Sequence, residues 1–174
     1  MKTHTLLLAA LVVLAVTGCT TTYVPAPGIP NVKEVPNFPE GTRVALVNAQ
    51  SDTSLFLLTK HPNGSTYNAN LHDWTERLVQ SLSETLKKKK VLVDPAAPKV
   101  MKVSIEKANV HLKAGGWAFQ CDMAWKVELN NGKVVPMYVE EGHWKVEDCS
   151  NVAVRRACLL TLSNDVVRGF LSAP

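Results

Sequence analysis

His111 and His143, with Asp122 and Glu141, are the side chains of this 174-residue chain that could together bind a metal or relay protons. They are far apart in sequence, so they meet only if strands bring them together. Asn131-Gly132 is the strongest short-range hairpin signal. A two-residue turn there sets Phe119 opposite Trp144, Trp125 opposite Tyr138, Val127 opposite Pro136 and Leu129 opposite Val134, and places Trp117 opposite Val146. Every one of these pairs is apolar on both sides. Gly115-Gly116 suggests a second tight turn, aligning Leu112 with Phe119 and Val110 with Cys121. His111, Gln120 and His143 then form one row across three strands, and Asn109, Asp122 and Glu141 the next. A one-sided antiparallel sheet also needs a hydrophilic outer face, and that reading accounts for the same residues without a metal. It is the preferred one. The chain has no G-x-S-x-G, no H-E-x-x-H and no glycine-rich phosphate loop, so neither catalytic residue nor cofactor is expected.

The amino terminus carries a different kind of signal. Lys2 precedes an unbroken apolar run from Leu6 to Val16, followed by Thr17, Gly18 and Cys19. Eleven helical residues span roughly 16 Å, about half of a bilayer core, too short for a permanent membrane span. Val16-Thr17-Gly18-Cys19 resembles the lipobox of bacterial lipoproteins: an aliphatic residue, two small residues, then the modified cysteine. The resemblance implies cleavage before Cys19, a diacylglycerol thioether on it, and acylation of the new amino terminus. Thr20 follows, not the aspartate that retains many such proteins at the inner membrane. The resemblance therefore implies the periplasmic face of the outer membrane.

Lipidation of Cys19 leaves Cys121, Cys149 and Cys158, an odd number in a compartment that permits disulfides. The inferred register sets Cys121 opposite Gly142, so Cys149 would lie roughly 23 Å along the strand direction, out of reach. A 149–158 bridge is strained if a helix starts near 151. Cys121 with Cys158 is the favoured pair, and buried thiols are the alternative. There is no C-x-x-C to suggest a redox enzyme.

The elements that must position these residues follow from periodicity. Arg43–Ala49 and Ser54–Thr59 read as strands, and His61-Pro-Asn-Gly64 as a turn. Asn70 can cap a helix whose stripe is Leu71, Trp74, Leu78, Leu82 and Leu86, ended by Lys87–Lys90. That basic run reads as a solvated helix end, with anionic headgroups as the minor alternative. Residues 99–147 read as a three-stranded meander, with a change of parity that predicts one bulge near Glu106 or Lys107. Ser150 or Asn151 caps a final helix through Phe170. The expected fold class is α+β: an antiparallel sheet with a three-stranded meander, one face covered by two long helices.

Residues 1–18 are thus a lipoprotein signal peptide, 19–41 the lipidated cysteine and a tether, and 42–174 a single α+β domain. Five of the chain's ten prolines fall within 20–41 without hydrophobic periodicity, which suggests a semi-extended linker reaching at most roughly 70 Å. The formal charge of +4 falls to about +3 once Lys2 is removed, a mild imbalance that does not suggest nucleic acid. The order of elements is similar to that of small envelope lipoproteins of the YajG type and of auxiliary lipoproteins of lipid-transport machines. The segment Lys99–Val110 carries most of that likeness. It implies a non-enzymatic accessory or scaffold domain binding an envelope protein or a lipid-transport partner. The alternative is a metal-binding protein or small metal-dependent enzyme using the His/Asp/Glu face. The membrane, reached through lipid on Cys19, is the other expected partner.

Overall fold

A computed structural model describes residues 20–28, 32, 34–61, 64–113 and 118–174, and of Glu147 only the backbone. The leader and lipobox, the Gly115-Gly116 turn and Trp117 lie outside the described residues. The architecture is α+β, with three helices and two sheets among the described residues. In chain order the elements are β1 (Thr21–Tyr23), β2 (Arg43–Asn48), β3 (Leu55–Lys60), β4 (Thr66–Asn70), α1 (Leu71–Lys88), β5 (Leu92–Val93), β6 (Val100–Leu112), β7 (Phe119–Leu129), β8 (Val134–His143), α2 (Val146–Ser163) and α3 (Asp165–Ser172).

The larger sheet runs β5-β2-β6-β7-β8. Its last three strands form the antiparallel meander. The whole sheet is mixed, because β2 pairs in parallel with both β5 and β6. That follows from the helix crossing over between β2 and the strands after it. A smaller sheet, β1-β4-β3, was not expected as such. Its β4 is the polar segment Thr-Tyr-Asn-Ala-Asn, which has little strand character of its own and is held by neighbours on both sides.

Local signals explain the helix ends. Asn70 caps α1, its Oδ1 accepting from the Asp73 amide at 3.1 Å. At the other end the Val91 amide donates to the Leu86 carbonyl and the Lys90 amide to that of Lys87, both at 3.0 Å. This is a Schellman closure, and Lys90 takes the left-handed position usually given to glycine, with φ 63°. The final helical stretch divides in two. Asn164 leaves the helical region and its side chain accepts from the Val166 and Val167 amides, ending α2 and starting α3.

Both long helices lie on one face of the larger sheet, α1 over β2 and β6, α2 over β7 and β8. Polar contacts tie the layers where burial would otherwise leave groups unpaired. The indole N–H of Trp125 donates to Thr161 Oγ1 at 3.0 Å, with both residues buried. Beyond the end of β2, the Ile105 amide of β6 donates to Thr75 Oγ1 of α1. The expected bulge is present: Ile105 pairs with Trp125 and Lys107 with Ala124, leaving Glu106 as the extra residue.

The segment read as a free linker is laid against the domain. Val24, Val32 and Val35 are buried in the common core. Tyr23 Oη donates to Asp73 at 2.9 Å, and the Gly28 amide donates to Asn151 Oδ1 at 2.7 Å. Lys89 Nζ reaches Asn37 Oδ1 at 3.2 Å, so the strap ends beside the C-terminus of α1. Three isolated valines give no period, yet each finds an apolar site between elements that are distant in sequence.

Candidate functional site

The hairpin joining β7 and β8 determines which residues share a face. Gly132 has φ 85°, whereas Asn131 is not in the left-handed region. The Leu129 amide donates to the Lys133 carbonyl, and the Gly132 amide donates to that of Leu129, both at 2.9 Å. The loop is therefore Asn130-Asn131-Gly132, a three-residue turn with its left-handed residue last, instead of the expected two-residue turn. Every pairing moves by one. Phe119 faces His143, Cys121 faces Glu141, Trp125 faces Met137 and Val127 faces Val135. The helix-facing residues of β8 are thus Val135, Met137 and Val139, all packed into or against the core, while Val134 and Tyr138 are each 57% exposed on the other face.

That shift divides the four residues of the expected cluster. His111 and Asp122 stay on the outer face, with His111 Nδ1 3.4 Å from Asp122 Oδ2. His143 and Glu141 turn to the helix side. His143 Nδ1 lies 3.5 Å from Asp148 Oδ2 in the first turn of α2, and Glu141 lies 3.7 Å from Arg156 Nε. The row that was to hold His111, Gln120 and His143 instead holds His111, Gln120 and Gly142. Among the described residues no group of three or more histidine, cysteine, aspartate and glutamate side chains is arranged to hold a metal.

The cysteines are also repartnered. Cys121 is bonded to Cys149, with Cα atoms 5.6 Å apart, and Cys158 is a buried free thiol. The favoured Cys121–Cys158 pair does not form. Cys149 comes within reach of Cys121 for two reasons. The strand stops at His143, and α2 begins at Val146, not near 151, so the chain folds back over the sheet. Cys149 and Cys158 then stand about two and a half helical turns apart, on opposite sides of α2. Cys158 Sγ lies 3.6 Å from Thr85 Oγ1 of α1, and burial pushes its thiol above the ordinary range.

What the outer face does assemble is a polar group centred on Asp122, together with Tyr138 and Glu140, which the expected register had turned inward or left out. Gln120 Nε2 donates to Glu140 Oε1 and sits 3.5 Å from Asp122 Oδ1. The Tyr138 phenol is held above its usual range, first by partial desolvation and then by its hydrogen bond to Asp122. Further along, Lys126 lies between Glu106 at 3.2 Å and Glu128 at 3.1 Å, which keep its ammonium protonated. These groups lie on an open, twisted strand surface, with Val134, Pro136 and Tyr138 exposed along the edge strand β8. Such a surface can recognise another macromolecule, but it does not enclose a small substrate. Among the described residues no helix is long and apolar enough to cross a membrane. No family model matches the chain, and no curated protein matches it either.

Proposed function

We propose that the chain is a lipid-anchored lipoprotein of the bacterial envelope, whose α+β domain is a non-enzymatic accessory module that binds a partner through the outer face of its larger sheet. The lipobox-like Val16-Thr17-Gly18-Cys19 is the basis for the anchor, and Thr20 favours the outer membrane's periplasmic face. One observation carries the binding role. The sheet face away from the helices is uncovered, and it combines exposed Val134 and Tyr138 with the Asp122 group and the Glu106-Lys126-Glu128 row. Mixed polar and aromatic character of this kind suits a protein interface or a component of lipid transport. The metal-dependent alternative loses its geometric basis, since its four residues stand on two faces.

A photo-crosslinking residue placed at Tyr138 tests this in cells, with the same residue at exposed Glu84 on α1 as the control position. Adducts with an envelope protein or lipid-transport component from Tyr138 and not from Glu84 are expected. Anchored, disulfide-bonded protein that yields no such adduct from Tyr138 would contradict the reading.

A further inference from the structure

If Cys19 carries the lipid, the strap has a geometric consequence, because no free linker separates the anchor from the domain. Thr20, next to Cys19 in the chain, already accepts from the Thr66 amide through its carbonyl at 2.9 Å and bonds Ser65 Oγ at 3.0 Å. The lipid is therefore attached within one residue of a fixed strand, about 4 Å of chain. From there a short series of contacts leads to one end of the larger sheet. The His61 amide donates to the Ser65 carbonyl at 2.8 Å, and the His61 ring stands 6.4 Å from that of Phe119. Phe119 pairs with His143, the last residue of β8, and Trp144 follows. Trp144 is 71% exposed, the most exposed of the large hydrophobic residues among those described. Lys60, Lys113 and Lys145 are exposed at the same end. Of the described carboxylates nearby, Glu141 faces Arg156, Asp148 faces His143 and Glu140 accepts from Gln120.

We propose that this end of the molecule docks on an anionic bilayer surface, with Trp144 at headgroup depth and Lys60, Lys113 and Lys145 against the lipid phosphates. The proposal rests on the lipid-anchor reading and adds an orientation to it. Tryptophan is favoured at the membrane interface because its ring is amphipathic, and juxtamembrane lysines gain from the negative surface potential. The denser run, Lys87–Lys90, is at the other end of α1, roughly 21–25 Å along the helix from Asp73, which holds Tyr23. It therefore points away from the bilayer. Docking this way leaves the outer sheet face standing beside the membrane, open to a partner.

The test uses the full-length, processed protein in vesicles of phosphatidylcholine and phosphatidylglycerol whose acyl chains are brominated near the headgroup. Flotation with the vesicles, and a lipid-bearing Cys19 by mass, establish the anchor independently. Tryptophan emission of the wild type should be quenched, and Trp144→Phe should remove a distinct part of that quenching. Changing Lys60, Lys113 and Lys145 together to glutamate should reduce the docked population on the order of a hundredfold, giving the quenching seen with Trp144→Phe while flotation persists. The same reversal of Lys87–Lys90 should leave quenching unchanged. Equal quenching in wild type and Trp144→Phe, with flotation intact, overturns the docking and spares the anchor. Sensitivity to Lys87–Lys90 in place of the other three lysines overturns the orientation. Failure to float overturns the anchor and the docking together.

Discussion

Replacing Cys149 by alanine removes the covalent link between α2 and β7, and its effect can be worked from the connectivity. The bridge closes a sequence separation of 28 residues. The chain-entropy relation for a loop of that size gives roughly 3.5 kcal/mol of stabilisation. For a protein of this length each kcal/mol shifts the melting point by about 2–4 °C, so the variant should melt roughly 10 °C lower. Both sulfurs are buried, Cys121 at 3% and Cys149 at 0% exposure, so the native bond should resist mild reductant until the domain opens. The assay is thermal unfolding by circular dichroism, paired with non-reducing peptide mapping of protein purified from the envelope. Cys158→Ala is the control, because it should leave the 121–149 peptide intact. A peptide joining Cys121 to Cys158 would overturn the 121–149 pairing. So would a Cys149→Ala variant that melts within about 1 kcal/mol of an oxidised wild type.

Four further outcomes are expected. Lys90→Gly should stabilise the protein by about 1 kcal/mol in denaturant titration, since glycine relieves a left-handed backbone at φ 63°. Val24→Ala should cost about 2 kcal/mol by the same titration, because a side chain with no exposure is lost from the strap; an unchanged midpoint would show that the strap is not docked. Thr161→Val should cost about 1–3 kcal/mol by leaving the Trp125 indole N–H buried without its acceptor. The Cys158 thiol is raised by burial, so its contribution is present below the ordinary thiol range, about pH 8.5, and is lost as pH rises through the folded value. Cys158→Ala should accordingly weaken the fall in stability on the alkaline side, measured as unfolding midpoints against pH.

Where a residue's local partners decide the outcome, the sequence was readable. Asn70 with Asp73 marked the start of α1, and the parity change between Ile105 and Ala108 placed a bulge near Glu106 or Lys107, where the structure has it at Glu106. The β6–β7 pairing, with Leu112 on Phe119 and Val110 on Cys121, also follows the expected alignment. The β7–β8 register does not. From Val134 to Val139 every residue of β8 is apolar, so alternation carries no information about which face is inward. Only the turn type distinguishes the two registers, and Asn131-Gly132 suits both a two-residue and a three-residue loop. That single residue of shift moved Tyr138 outward and split His143 from His111, whereas the disulfide turns on where β8 ends and α2 begins. The small sheet and the strap were hidden for another reason. Thr66–Asn70 and the valines at 24, 32 and 35 gain their structure from long-range burial, which leaves no local period.

Export and lipidation at Cys19, proposed above to fix this domain to the membrane, are open to direct chemical test. Intact-mass and amino-terminal peptide analysis of the protein isolated from the membrane fraction tests them most directly. The expected species begins at Cys19 and carries a diacylglycerol and an acyl group, with Cys121 and Cys149 oxidised. A chain that retains residues 1–18, or one that begins at Cys19 with an unmodified thiol, would contradict the proposal.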